Sequence, residues 1–426
     1  MGRLKKNNGN VKSAAAAKKE KDKEKDKDKE KTNVKTTISD EFSEELIKSL
    51  NKEAGSQIAF NLGVEDAPTN IKRWISTGSR QLDYILSNKK DGGLPEGRVI
   101  ELQGLPGSGK SSLALEVAKS TQRMGGIVVY IDTENATNLD NLMDYGIDVY
   151  KRFVFVQTAC TEEIFQVAES TIIKARSMTK DVPVTIIWDS VAASSPKAEL
   201  EGDYEQNTIG LQARVLGKGM RKIVNLIGNQ KVLFLIINQN RQVIGSMFGD
   251  PYTTPGGMSI GYSTSVRIRF TSTGQSQIKD NDQNTIGIKV KAKTIKNKVA
   301  RPFRECEFNI HFGKGIVEHE EIFDVLREYC EHNEVKNETG ELISVSGTGT
   351  WKTFLVTNSD GEIKHEVKFY KPEFAEKILD VPMYKEYIEY LIDAVYVLGK
   401  ASTEKNPTIS TPDKSSLEEM KAINIW

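Results

Sequence analysis

Residues 104–111 form a glycine-rich segment with the spacing G-x-x-x-x-G-K-S, which is that of a phosphate-binding loop. Its glycines let backbone N–H groups turn inward around phosphate oxygens, and the start of the following helix adds partial positive charge. Lys110 is expected to neutralise the β- and γ-phosphates of a nucleotide, and Ser111 to coordinate Mg²⁺. The predicted nucleotide contacts are Gly104, Leu105, Pro106, Gly107, Ser108, Gly109, Lys110, Ser111, Ser112 and Asp189.

Three further polar residues follow apolar runs and are candidates for the chemistry. Asp189 follows Val184–Trp188 and is expected to hold Mg²⁺ through water, although without the phosphate loop it would be taken for a helix cap. Glu134 is the candidate for orienting an attacking water, and the amide of Gln239 is placed to respond to the γ-phosphate. On spacing alone, Glu134 and Gln239 are equally compatible with caps or turns.

The elements around these residues predict an α/β core over residues 73–318. Short apolar runs alternate with amphipathic segments, which indicates a mostly parallel sheet covered by helices on both faces. The predicted buried strands are Val99–Gln103, Ile127–Ile131, Phe153–Val156, Val184–Trp188 and Val232–Ile237, and the helices are Ser111–Arg123, Ile164–Met178 and Leu211–Ile227. Later strands near Ser265–Thr271, Ile286–Ile295 and Arg304–Ile310 have no helix pattern between them and predict an antiparallel extension.

The regions on either side of the core have a different character. Residues 1–38 predict a disordered charged tail, and residues 39–72 an N-terminal helical segment with a helix from Asp40 to about Leu62. Residues 319–400 predict a small α+β domain, with helices at Glu320–Cys330 and Tyr384–Leu398 and strands at Thr350–Val356 and Glu366–Phe369. Residues 401–426 predict a polar tail.

Composition narrows the class of protein. The 426 residues have a formal net charge of zero, but residues 1–31 contain twelve Lys or Arg and six Asp or Glu, so the remainder is negative. The apolar runs are of strand length, and no apolar signal segment opens the chain. Three widely spaced cysteines indicate reduced, buried thiols in a cytoplasmic protein, and four scattered histidines suggest no metal cluster.

Taken together and in this order, the motifs resemble those of the RecA family of DNA recombinases. The resemblance is close from about Leu50 to Gly315 and looser from there to about Lys400. Besides the phosphate loop, it rests on Ile75–Ser79, Gly93–Arg98, Ile131–Glu134, Asp189–Ala193, Pro196–Glu199, Glu201–Gly202, Gly210–Arg214, Met220–Lys222, Ile237–Gln239, Met247–Gly249, Thr254–Gly257 and Lys296–Lys298. It implies a RecA-type P-loop NTPase core, and a DNA-dependent ATPase that forms helical filaments on single-stranded DNA and pairs it with homologous duplex during DNA repair and the SOS response.

The resemblance also implies residue roles. Glu134 corresponds to the carboxylate that activates water, and Gln239 to the switch between the γ-phosphate and a DNA-binding loop. Lys296 and Lys298 correspond to a pair that reaches the ATP of the neighbouring subunit, whereas their sequence alone indicates a solvated strand face.

Two loops, about Glu201–Gly210 and Asn240–Thr254, correspond to the DNA-binding loops. Their apolar residues would wedge between bases and their arginines would clamp phosphates. Without the resemblance, Phe248 would be taken for a core anchor and the arginines for surface charges. The DNA-binding candidates are Ile209, Arg214, Arg221, Arg241, Ile244, Phe248, Gly256 and Gly257.

Several positions depart from the family pattern. Asn135 follows the candidate base where a histidine is common in bacterial members, the adenine-stacking aromatic is replaced near Asn141, and Gly261 rather than lysine precedes the interface aromatic Tyr262. Two other functions remain open at this level. One is a ring-forming RecA-fold ATPase or helicase, and the other is a recombination mediator that does not hydrolyse ATP.

Deletion of residues 1–31 is predicted to preserve the fold and the ATPase activity, because alternating lysines and acids offer nothing to bury in a core. DNA or partner affinity is expected to change only modestly. Circular dichroism and ATP turnover of the truncated protein test this. Loss of folded protein would show that the segment stabilises the fold.

Overall fold

A computed structural model describes residues 42–63, 67–179, 181–203, 210–242, 252–272, 277–280 and 282–398. The chain divides into two units, Met1–Asn70 and Ile71–Trp426. The helices are α1 (42–54), α2 (Arg80–Ser87), α3 (Lys110–Arg123), α4 (Leu139–Asp144), α5 (Thr161–Met178), α6 (Lys197–Leu200), α7 (Leu211–Asn229), α8 (Gly257–Ser263), α9 (Glu318–His332) and α10 (Lys385–Asp393). No helix in the described part of the chain is long and apolar enough to span a membrane.

The first unit contains α1, which is shorter than the sequence predicts. The expected helix to Leu62 is wrong beyond residue 54, because Gly55 adopts a left-handed φ of 64° and ends the helix. The side chain of Asn51 then accepts hydrogen bonds from the amides of Ile58 and Ala59, both at 2.8 Å, and folds the chain back.

Eighteen strands are described. They are β1 (Trp74–Ile75), β2 (Leu94–Pro95), β3 (Val99–Gly104), β4 (Ile127–Asp132), β5 (Phe153–Gln157), β6 (Val184–Asp189), β7 (Leu233–Gln239), β8 (Arg241–Gln242), β9 (Tyr252–Thr253), β10 (Val266–Thr271), β11 (Gln277–Lys279), β12 (Thr285–Asn297), β13 (Glu305–His311), β14 (Gly315–Ile316), β15 (Val335–Lys336), β16 (Leu342–Ser346), β17 (Trp351–Thr357) and β18 (Ile363–Tyr370).

Ten of these strands form the central sheet of the second unit. Their order is β14-β13-β12-β10-β3-β7-β6-β4-β5, with β11 paired to β12. All pairs from β10-β3 to β4-β5 are parallel, and the pairs on the β12 side of β10 are antiparallel.

Helices cover both faces of this sheet. On one face, Ile100 and Leu102 of β3 pack in a core with Leu113 of α3. On the other face, Val99 lies in a second core with residues of α5, α7 and α8, among them Ile260. Since side chains alternate along a strand, Glu101 and Gln103 share the face of Val99. The predicted mostly parallel sheet, covered on both faces, is confirmed.

One expectation for an individual strand is wrong. Phe153–Val156 was expected to be buried, but β5 pairs only with β4 in the described sheet, and Val154 and Phe155 are 48% and 43% exposed. The expected antiparallel extension is confirmed, since β12 pairs antiparallel with both β10 and β13. On its other side β10 pairs parallel with β3, so it joins the extension to the parallel part of the sheet. The helix α8 precedes β10 and supplies the crossover that parallel pairing requires.

The C-terminal part contains an antiparallel sheet, β15-β16-β17-β18, beside α9 and α10. Phe354 and Phe369 are fully buried in the same continuous core as α3, and Phe369 packs edge-on against Phe323 of α9. The predicted helices and strands are present here, and β15 and β16 are additional. The domain boundaries named above stay predictions, because this core runs on from one part to the next.

A buried carboxyl joins α9 to the start of α2. Glu321 Oε1 accepts hydrogen bonds from Ser79 Oγ and from the amide of Gln81, both at 2.9 Å. Nearby, Asp83 accepts 2.8 Å and 2.7 Å hydrogen bonds from the amide and the hydroxyl of Thr77. Burial raises the pKa of Glu321 to about 8 and that of Asp83 to about 7.

The stability of the fold is predicted to fall as the pH rises from about 5 to about 8. The folded state holds these protons more tightly than the unfolded chain, so their contribution is complete below the ordinary carboxyl pKa and is lost as pH passes the raised values. Glu321→Gln keeps the acceptor for Ser79 and Gln81 but cannot ionise. Its urea midpoint should therefore depend less on pH than that of the wild type.

Glu328→Gln, an exposed position on the same helix, is the matched control and should keep the wild-type dependence. An unchanged pH slope in Glu321→Gln would show that Glu321 is not the titrating group.

Candidate functional site

The phosphate loop connects the end of β3 to the start of α3, and its glycines are needed there. A Cβ on Gly104 would lie 2.6 Å from Ser108 Oγ and 2.7 Å from the carbonyl oxygen of Phe270. Gly109 has a φ of 89°, and a Cβ there would lie 2.6 Å from Ile310 Cδ1. As the N-cap of α3, Gly109 offers no side chain to its first amides, which leaves them to an anion.

Lys110 lies across this loop. Its Nζ donates hydrogen bonds to the carbonyl oxygen of Leu105 at 2.8 Å and to Ser108 Oγ at 3.4 Å. Burial lowers the pKa of Lys110, while the nearby carboxylates of Asp189 and Glu134 act in the opposite direction. The ammonium of Lys110 is thus already positioned at the loop, where it would contact the phosphates of a bound nucleotide.

Asp189 lies at the end of β6 and contacts the start of α3. It lies near Ser111, and its Oδ2 accepts a 2.7 Å hydrogen bond from the phenol of Tyr130. Burial raises the pKa of Asp189, while Tyr130 and Ser111 oppose this effect. A hydroxyl beside a carboxylate is an oxygen donor set that suits Mg²⁺, so Ser111 and Asp189 fit the expected metal.

Ser112 lies one residue further along α3. Its hydroxyl accepts a 3.0 Å hydrogen bond from Tyr145. The side chain of this predicted nucleotide contact is therefore held by the protein.

Glu134 and Gln239 come from different strands and are in direct contact. Gln239 Nε2 donates to Glu134 Oε1 at 2.8 Å, and the hydroxyl of Ser190 donates to the same oxygen. The register that pairs Gly104 with Gln239 and Asp132 with Asp189 brings these residues to one edge of the sheet. The structure thus brings together the predicted base, switch amide, lysine and metal carboxylate.

Asp132, which is not among the residues predicted from sequence, shapes the segment that carries Glu134. Its Oδ1 accepts hydrogen bonds from the amides of Glu134 and Asn135, both at 2.9 Å, and its Oδ2 accepts one from the amide of Thr137 at 3.0 Å. An aspartate at a strand end, followed by a short polar segment, is the available signal for such an Asx turn. Ser190 gave no signal beyond its place after Asp189.

Lys296 lies away from the phosphate loop of its own chain. Its Nζ donates to the carbonyl oxygens of Gly261 at 2.6 Å and Tyr262 at 3.4 Å, at the end of α8. Burial lowers the pKa of Lys296 to about 8, assisted by the nearby charges of Lys298 and Arg267. Because α8 and α3 pack on opposite faces of the sheet, the structure does not bring Lys296 to Lys110.

A cavity of about 510 Å³ adjoins Lys296, and its lining is basic and aromatic. Arg267 forms an ion pair with the buried Glu101 and lines the cavity beside Lys296. The other lining groups include Gln103, Arg269, Tyr252 and Tyr262.

Among the nucleic-acid candidates, Ile209, Ile244 and Phe248 lie outside the described residues. Arg214 and Arg221 are exposed seven residues apart on α7 and therefore share one side of that helix.

The other candidates adjoin the second loop. Arg241 is exposed at the start of β8. Gly256, with a φ of 91°, caps α8, and Gly257, with a φ of 64°, opens it.

Comparison with known proteins assigns the family. The model for the RecA N-terminal domain matches residues 42–317. The chain is 36% identical over 282 residues to Protein RecA of Geobacter sulfurreducens, covering 66% of this chain and 79% of that protein. It is also 36% identical over 329 residues to Protein RecA of Wolinella succinogenes, covering 76% and 88%, and 39% identical over 279 residues to that of Helicobacter hepaticus, covering 65% and 76%. With more than half of its length matched, the chain belongs to the RecA family.

Proposed function

We propose that the chain is a DNA-dependent ATPase that assembles on single-stranded DNA, with ATP and Mg²⁺ held between neighbouring subunits, and exchanges strands with homologous duplex. Membership in the RecA family makes it a DNA recombination and repair protein. The observation that carries the proposal is the hydrogen bond between Glu134 and Gln239 beside Lys110, because it joins the candidate base to the strand that leads into the second predicted DNA loop.

Nucleotide binding is assigned to the phosphate loop. The amides at the start of α3 and the ammonium of Lys110 would receive the phosphates, and Ser111 and Asp189 would hold the metal. Mg²⁺, when bound, supplies positive charge to the β- and γ-phosphate oxygens. Lys110 would exchange its bond with the Leu105 carbonyl for phosphate oxygens.

Glu134 is assigned as the base that accepts a proton from the attacking water. Its Oε1 is held by Gln239 and Ser190, so without nucleotide the carboxylate is tied to its own chain. A γ-phosphate that draws the Gln239 amide toward itself would release one of these bonds. Glu134 could then turn to water, and β7 would pass the change on toward Arg241.

The DNA contacts are assigned to the side of the molecule where α7 and α8 begin. Arg214 and Arg221 are exposed on α7, and the N-terminus of α8 at Gly256 and Gly257 has no side-chain cap. Arginine and helix N-termini are groups that bind phosphates without reading sequence. Ile209, Ile244 and Phe248 complete the assignment as the apolar wedges.

Lys296 and Lys298 are assigned to the ATP of the adjacent subunit. Their place on the α8 face, opposite the α3 face that carries Lys110, supports a role across an interface rather than within one chain. An intersubunit contact that does not close into a ring builds a helical filament.

Two further assignments complete the assembly. The exposed Phe42, Leu46 and Leu50 along α1 suit docking on a neighbouring subunit, and the C-terminal part is assigned to gathering duplex DNA.

A cytoplasmic location is supported by three free thiols, of which Cys160 and Cys306 are buried and Cys330 is half-buried.

Glu134→Gln is predicted to bind ATP and DNA but to hydrolyse ATP more slowly by about 10²-fold or more, because glutamine cannot accept the proton. Steady-state turnover with single-stranded DNA measures this, and Glu328→Gln serves as the exposed control. Normal turnover in Glu134→Gln would place the base elsewhere.

A sharper prediction concerns the shared site. Protein with both Lys296→Ala and Lys298→Ala should bind ATP yet show little DNA-stimulated hydrolysis. Mixing it with Glu134→Gln protein should restore part of the activity, because about a quarter of neighbouring pairs in a random mixed filament combine an intact Glu134 with intact lysines.

The mixture is read by ATP turnover, with co-assembly on DNA checked by electron microscopy. Two variants that share filaments but never complement would place the lysines outside the neighbour's site.

A further inference from the structure

Tyr130 is a buried tyrosine whose hydroxyl contacts the metal carboxylate. It lies on β4 with 1% of its surface exposed, and its phenol donates a 2.7 Å hydrogen bond to Asp189 Oδ2. Ser111 lies near the same carboxylate and begins the first turn of α3 with Lys110. The carboxylate therefore lies between a strand phenol and the helix hydroxyl that is expected to bind Mg²⁺.

The tyrosine ring is itself fixed by packing. It stacks on Phe155 with ring centroids 6.4 Å apart and an interplanar angle of 10°, and on Phe153 at 6.2 Å and 27°. The register of β4 and β5 places Phe155 directly opposite Tyr130. Because the ring cannot move between its neighbours, its hydroxyl has a fixed position. The hydrogen bond from this hydroxyl therefore sets the orientation of the Asp189 carboxylate.

The same phenol also lies beside the segment that carries Glu134. The side chain of Thr137 is near the Tyr130 hydroxyl, and the Thr137 amide donates to Asp132 Oδ2. The other oxygen of Asp132 accepts from the amide of Glu134. The phenol therefore lies next to both the metal carboxylate and the turn that carries the candidate base.

We propose that Tyr130 is a positioning residue for Mg²⁺-nucleotide: by holding Oδ2 of Asp189, it presents the carboxylate to the metal beside Ser111. The inference rests on the proposed nucleotide site. Partners of a metal ligand usually govern affinity through orientation, and their removal typically weakens metal binding by about 10- to 100-fold.

Tyr130→Phe tests this, because it keeps the ring between Phe153 and Phe155 and removes only the hydroxyl. Binding of a fluorescent ATP analogue is titrated once with excess Mg²⁺ and once with EDTA. We expect the Mg²⁺ concentration for half-maximal tight binding to rise by about tenfold or more. The affinity in EDTA should stay at the wild-type value.

Tyr396→Phe is the matched control, since Tyr396 is also buried but its hydroxyl has no hydrogen-bond partner among the described residues. It should leave both titrations unchanged. A Tyr130→Phe protein with the wild-type Mg²⁺ requirement would overturn the proposal. Equal losses of affinity with Mg²⁺ and with EDTA would also overturn it, since that pattern marks a general packing role.

Failure of the proposed function gives a different result in the same assay. If wild-type protein binds the analogue no better than Lys110→Ala protein, the assignment of the nucleotide site to the phosphate loop is wrong. Wild-type binding that depends on Mg²⁺, together with an unaffected Tyr130→Phe protein, would contradict only the role of Tyr130.

Discussion

Parallel pairing of β3, β7, β6 and β4 is the constraint on which the site depends. Because parallel strands end at the same edge of a sheet, the register that pairs Gly104 with Gln239 and Asp132 with Asp189 gathers residues from four distant parts of the chain. The phosphate loop, the metal carboxylate and the segment of the candidate base all leave the sheet at this edge. A shift of one residue in any of these pairings would turn the side chains involved to the opposite face.

The same sheet also separates functions. Helix α3 and the phosphate loop belong to one face, whereas α8, Lys296 and the buried ion pair of Glu101 with Arg267 belong to the other. A chain built in this way does not bring Lys296 to its own Lys110. Under the role proposed for the two lysines, ATP hydrolysis requires neighbouring subunits, and assembly of those subunits requires nucleotide.

Sequence reasoning was strongest where one physical signal decides the structure. Continuous apolar runs predicted the parallel strands, and the spacing of glycines with Lys110 predicted the phosphate loop. It was weaker where an apolar run is compatible with either a central or an edge strand. The sequence of β5 is typical of a buried strand, yet Val154 and Phe155 lie exposed at the described sheet edge. The two-residue strand β15 and the end of α1 depend on local turns at Asn337 and Gly55, which carry little periodicity. Tyr130 gave no signal, because its role comes from the neighbouring strand that ends in Asp189.

The central claim is that DNA binding raises the rate of ATP hydrolysis, and that it acts through Gln239 and through neighbouring subunits. The rate of ATP hydrolysis, measured at fixed protein and Mg²⁺ while single-stranded DNA is added, tests it most directly. The account predicts slow ATP turnover without DNA. The turnover rate should rise as DNA is added and level off once enough DNA is present to bind all of the protein. Turnover that is the same with and without DNA would contradict it.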